Sequence, residues 1–217
     1  MRARSPEAKQ QRTEDLLDAA ARLAADLGGV RHLTLAAVTE AAGLHPSAVR
    51  RYFASKEELL LELAERGWEE WRDVVAARLE RPLAGEAPTR GELTPAETAE
   101  TIASTLASMP LFCDLLTHVP LSLEGDVDLE RARRFKTRAF AAYDEIVELL
   151  TGTMAVEQLH ELIAAALAMT ANFWQLSHPT ASLAELYRQE PRWGHVALEF
   201  EPKLTRLLQA TARGLQA

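Results

Sequence analysis

Apolar residues return at every third or fourth position along almost the whole chain, and no run of alternating β-branched residues stands between turn signals, so the pattern predicts helix throughout. The first helix carries Leu16, Ala20, Leu23 and Leu27 on one face and stops at Gly28-Gly29, where a left-handed residue without a Cβ closes a helix at least cost. Thr34 has the position of an N-cap for a short helix through Ala42, which Gly43 ends after two turns. Pro46 suits the first position of a third helix, running to about Phe53, because its missing N–H would find no intrahelical partner there. Ser55-Lys56-Glu57-Glu58 is a capping box opening a long fourth helix with Leu60, Leu63, Gly67, Trp71 and Val74 inward.

Between Arg81 and Pro95, the breakers Pro82, Gly85, Pro88 and Gly91 predict a loop. Helix resumes at Thr94-Pro95-Ala96-Glu97, an N-cap, N1 proline and N3 glutamate in register, and continues to about Ser108. Pro110 and Pro120 bracket a further short helix. A long helix from about Asp128 to Leu150 turns Phe135, Ala139, Tyr143, Ile146 and Leu150 to one side and charge to the other. The next, about Met154 to Ser177, has Leu159, Leu162, Ile163, Ala166, Leu167, Thr170, Phe173 and Trp174 on one face and small Ala164, Ala168 and Ala171 on another. A helix apolar nearly all round needs two partners, one of them a second subunit approaching over the alanines. Leu204, Leu207, Leu208, Thr211 and Leu215 stripe a last helix from about Leu198.

Composition is that of an ordinary folded protein, with 47% hydrophobic and 26% charged residues among 217. The single cysteine, Cys113, excludes an intrachain disulfide and a cysteine-rich zinc site, and Met1 to Pro6 are followed by no apolar segment of the kind a signal peptide needs. The most apolar stretch, Leu162 to Trp174, is too short for a membrane span and is interrupted by Thr170 and Asn172. A cytoplasmic protein is therefore expected, with no membrane partner. The net charge of −8 argues at first against nucleic acid, but it is unevenly placed. Residues 1–56 carry nine basic against six acidic side chains, and 57–217 carry 15 against 26. A basic head on an acidic body is the distribution expected when one end touches DNA.

Thr34 to Phe53 thus read as two short helices joined by a glycine turn, the geometry with which a helix-turn-helix presents its second helix to a major groove. In that second helix Val49 and Phe53 must face inward, which turns Ser47, Arg50 and Arg51 outward with Ala48 and Tyr52 beside them. Arginine can pair with phosphate or bond guanine bidentately, Ser and Tyr can donate to phosphate, and a small Ala48 permits close approach. Over about residues 13–63 the chain resembles the TetR (tetracycline repressor) family of transcription regulators: the glycine-ended first helix, Thr34, Ala42-Gly43, the Tyr52-Phe53 pair and Ser55-Lys-Glu-Glu-Leu-Leu60 agree in register. The resemblance implies DNA contacts from Thr34, from the helix of Pro46, Ser47, Ala48, Arg50, Arg51 and Tyr52, and from Lys56. His45 stands where the family usually has a serine N-cap and Arg50 where it usually has a phosphate-binding tyrosine; both keep donor capacity, so the departures bear on operator sequence.

The family also implies an all-α architecture of an N-terminal three-helix helix-turn-helix domain, residues 1–56, and a C-terminal helical bundle, residues 57–217, for effector binding and dimerisation. Trp71, Met109, Phe112, Phe135, Tyr143, Met169, Phe173 and Trp174 could line a cavity in that bundle, and the scarcity of polar residues among them suggests an apolar or aromatic effector. No Gly-rich phosphate loop, G-x-S-x-G or H-E-x-x-H is present, so no catalytic residue is nominated and no cofactor or metal is expected. Glu157-x-x-His160 has the spacing of a di-iron ligand pair but lacks a second copy, His118, His178 and His195 are scattered, and Cys113 reads as a buried structural thiol. The expected mechanism is a homodimer held by the last two long helices, gripping a palindromic operator and released by a small molecule. The alternative is a helical-bundle enzyme or metal-binding protein.

Overall fold

The computed structural model describes residues 6–80, 93–152, 154–196 and 199–217, all of its regular structure being helical. Arg2 and Arg4 of the basic N-terminus, most of the predicted loop at 81–92, and Leu198 lie outside the described residues, as do the side chains of Pro46, Ser47 and His195. α1, Pro6–Leu27, ends as its glycines require. Gly29 N–H bonds the Ala24 carbonyl at 2.8 Å and Gly28 N–H that of Ala25 at 3.3 Å, with Gly28 at φ +75°. These paired bonds close the last turn around a left-handed residue. After a 3₁₀ turn, Val30–His32, Thr34 caps α2, Leu35–Ala41, by accepting the Ala37 N–H at 3.2 Å. The same closure ends α2: Leu44 N–H reaches Thr39 and Gly43 N–H reaches Glu40, both at 2.9 Å, with Gly43 at φ +66°.

The segment that follows is wound more tightly than the periodicity predicts. Pro46–Arg51 is 3₁₀ rather than α, with Ala48 N–H on the His45 carbonyl and Tyr52 N–H on that of Val49, each at 2.8 Å. Val49 and Phe53 are nevertheless buried in the head's core with Leu16, Leu33 and Val38. Ser55 Oγ then accepts the Glu58 N–H at 3.1 Å, while the Glu58 carboxylate takes the N–H of Ala54, one residue earlier than a reciprocal box would have it.

α3, Lys56–Glu80, leaves the head and becomes the spine of the body. Around it stand α4 (Pro95–Ala107), α5 (Pro110–His118), α6 (Leu129–Leu150), α7 (Val156–Ser177), α8 (Ala181–Gln189) and α9 (Phe200–Gly214). α3 packs along α6, α4 along α9, and α7 between α5 and α9. α4 opens with the predicted reciprocal cap of Thr94 and Glu97, and α6 with Asp128 accepting the Arg131 N–H at 2.8 Å. Pro120 does not end α5; the chain widens into a π turn, Val119–Leu123, closed by Glu124 N–H on the Val119 carbonyl at 3.3 Å. A proline ring collides with the carbonyl four residues back in an α-helix, and the wider turn relieves that. On α3 it is Val75, not Val74, that is fully buried, and Leu27, the last residue of α1, is exposed. α8 and the 3₁₀ turn Pro191–Val196 have no counterpart in the predicted pattern. Among the described residues no single helix is long and apolar enough to cross a membrane; α4 and α5 with its π turn pass only as a pair, bent by 92°.

Gly67 sets how closely α5 approaches α3. A Cβ there would lie 2.3 Å from the Phe112 ring, which is itself held edge-on to Trp68 at 5.4 Å between centroids. Gly67→Ala is therefore expected to cost about 1–3 kcal/mol through overpacking, despite alanine's better helix propensity. An unchanged melting temperature would mean that the ring has room to move.

Candidate functional site

The tight 3₁₀ winding and the burial of Val49 and Phe53 leave Arg50 and Arg51 exposed on the far side, with Ala48 and Tyr52 half-buried at the edges. Thr34 is exposed; its hydroxyl oxygen is used as a cap, but the hydroxyl can still donate. His45 is exposed at the turn and its carbonyl holds the first bond of the 3₁₀ segment. Lys56, at the positive end of α3, donates to the Arg31 carbonyl at 3.1 Å and has two further N–H donors. Arg31 and His32, joined by a 2.9 Å bond from Nε to Nε2, adjoin this cation. Sequence reasoning passed over both, although two basic residues just before Thr34 were the available signal.

The head is tied to the body at one buried carboxylate. Asp114 on α5, 8% exposed, accepts the Val30 N–H at 2.7 Å and the Gln175 amide of α7 at 2.8 Å. Arg66 of α3 adds an exposed contact to Asp18 of α1 at 2.9 Å. His118 lies 4.0 Å from Asp114, and burial holds its pKa below the ordinary histidine value, against the pull of that carboxylate. Burial, aided by the Asp114 charge, pushes the Cys113 thiol up to about 12; its Sγ donates to the Leu106 carbonyl at 3.0 Å, an inert buried thiol.

Three cavities receive the nominated aromatic and methionine residues. Phe135 and Tyr143 line a groove of about 400 Å³ where α6 and α7 part, floored by Trp68 and edged by Lys136 and Phe140, a ring 56% exposed. Met109 and Phe112 border a hollow of about 300 Å³ between α3 and α5. Trp174 stands in a cleft of about 750 Å³ between head and body. Trp71 is fully buried, its indole N–H donating to Thr105 Oγ1 at 3.0 Å, and Met169 and Phe173 are half-buried on α7; none of the three lines these cavities. The structure thus disperses the eight rather than gathering them on one wall, and the residues missed at the groove are Trp68, Lys136 and Phe140. His160 of the Glu157-x-x-His160 pair is stacked on Tyr143, with Nδ1 2.8 Å from the hydroxyl. Among the described residues no three His, Cys, Asp or Glu side chains gather to hold a metal.

Comparison with known proteins divides the chain between two family models. Residues 16–63 match that of bacterial regulatory proteins of the tetR family, and residues 65–217 match the tetracyclin repressor-like C-terminal domain. A solved structure described as the transcriptional regulator FadR from Bacillus subtilis in complex with stearoyl-CoA aligns over 93% of this chain and 96% of its own, with a TM-score of 0.48 and 13% identity. No curated protein matches the chain.

Proposed function

Because the chain belongs to the TetR family of bacterial transcriptional regulators, we propose that it is a homodimeric, ligand-released repressor of a palindromic operator. The observation that carries this reading is the head itself: two glycine-closed turns hold Val49 and Phe53 inward and Arg50 and Arg51 outward, beside Thr34 and Lys56. In this reading residues 1–56 form the DNA-binding domain and 57–217 the effector-binding and dimerisation domain. Base edges and phosphates would be met by Thr34, His45, Pro46, Ser47, Ala48, Arg50, Arg51, Tyr52 and Lys56. A DNA target places the protein in the cytoplasm. No observation favours the alternative, a helical-bundle enzyme or metal protein.

The dimer would be held by α7 and α9. Ala164 and Ala168 are exposed on α7 and let a partner helix approach closely; they also edge the α6–α7 groove, so the second subunit would roof it. An apolar or aromatic effector there would lie against Phe135 and Tyr143. It would shift the dimer toward a form whose recognition segments no longer match operator spacing, by its differential affinity for the two forms. Selection of genomic fragments by the purified protein tests the core of this. The expected result is one twofold-symmetric sequence whose half-sites lie a whole number of helical turns apart. Recovery without sequence enrichment would sink it.

A further inference from the structure

The largest of these three cavities lies outside the effector groove, at the joint between head and body. One wall is the end of α1 with Arg31 and His32; the other is the start of α5, the end of α7 with Trp174, and the start of α8, and the volume is about 750 Å³. Ala24, Leu111 and the half-buried Trp174, whose ring stacks on His178 at 3.8 Å, make most of the lining apolar. The charge around it is positive where it is uncommitted. Asp114 is the one acid among the lining residues, and it is already taken by the Val30 N–H and the Gln175 amide. The exposed Arg31 uses Nε on His32, and its two terminal nitrogens meet no acceptor among the described residues. α5 and α8 add to this, since both begin at the cleft without a side-chain cap on their first N–H groups.

We propose that this cleft binds an amphipathic organic anion, a carboxylate or sulfonate on an aromatic or aliphatic body. Its acidic group lies against Arg31 and its apolar body covers Trp174. The site goes beyond the effector groove and does not depend on it. It has a consequence for DNA, because the Arg31 carbonyl also holds Lys56. A ligand seated here occupies a cation adjoining the DNA-facing surface and wedges between the Val30 turn and α7, so anion and DNA binding oppose each other.

The test uses 1-anilinonaphthalene-8-sulfonate, whose fluorescence rises on leaving water, and its neutral analogue N-phenyl-1-naphthylamine, titrated into the full-length protein. Saturable sulfonate binding is expected, weakened about tenfold by Arg31→Gln, as for a lost charge-assisted hydrogen bond. Binding of the neutral analogue should be unaltered by Arg31→Gln. Ala25→Trp, which fills the cleft from an exposed position, should abolish the Arg31-sensitive sulfonate binding, and Arg133→Gln, an exposed arginine on α6, should leave the binding of both probes unchanged. Arg31-sensitive sulfonate binding that survives Ala25→Trp, or no saturable binding at all, overturns the site. Loss in Ala25→Trp with full affinity in Arg31→Gln overturns its preference for anions.

Discussion

Arg131→Ala is expected to cost about 3–5 kcal/mol of folding stability at pH 7, measured by urea denaturation, because it takes from a buried carboxylate its buried cation and leaves it only the exposed Arg138. Arg131 is 3% exposed and Glu65 1%, and the two are hydrogen-bonded between α6 and α3. A second Arg131 nitrogen reaches Glu62 at 3.1 Å, and Arg138 meets Glu65 at 3.2 Å and Glu69 at 2.7 Å. Even with these cations the Glu65 carboxyl is held above the ordinary carboxylate range, first by burial and then by Glu62. The folded state therefore holds this proton more tightly than the unfolded chain does. The group's contribution is fully present below its unfolded pKa and is lost as the pH rises through the folded one. Removing Arg131 raises that folded pKa further, so the variant's deficit should shrink as the pH is lowered from 7 to 5. Glu65→Gln, which removes the charge that burial resists, should cost less than Arg131→Ala at pH 7. A loss under about 1 kcal/mol, or one that does not change with pH, would show that water reaches the pair.

The helices of this chain were legible because their ends are written in residue chemistry. Gly28, Gly43, Thr34 and the Thr94-to-Glu97 cap each stand where a backbone group needs them. The Arg131 pair was legible in principle and missed. Arg131, Phe135 and Ala139 share one face at four-residue spacing, and Glu65 lies among the buried positions of α3, so a charge of each sign on facing apolar stripes was the signal. α8 buries no residue and left no core-facing stripe to find. Hydrophobic periodicity does not encode the 3₁₀ winding of Pro46–Arg51, and the π turn at Pro120 comes from a proline ring that can widen a helix as well as end it. Most of all, aromatic residues report that a core exists without telling which ones border empty space. Trp71 fills the core with its N–H satisfied, while Trp174, equally apolar in sequence, stands at a cleft.

At the surface proposed to face DNA, Arg50→Ala is expected to weaken operator binding by about 5- to 150-fold per half-site, the value of about 1–3 kcal/mol for a well-placed arginine contact. The side chain's direction follows from its neighbours: Val49 and Phe53 are locked in the head's core, so Arg50 between them has only the outward side. In the 3₁₀ segment residues three apart eclipse, so the neighbouring exposed Arg51 stands over the half-buried Ala48. A contact to phosphate and a contact to a base are separated by salt. If Arg50 takes over the phosphate role that tyrosine fills elsewhere in the family, both copies in the dimer release counterions. The slope of log affinity against log salt should then flatten by about 1.8 in Arg50→Ala, with the loss shared by all sequences. A base contact would instead relax preference at one symmetric pair of operator positions. The proposed helix-turn-helix face requires one of these two outcomes, and a gel shift unchanged between about 50 and 200 mM salt would remove Arg50 from it.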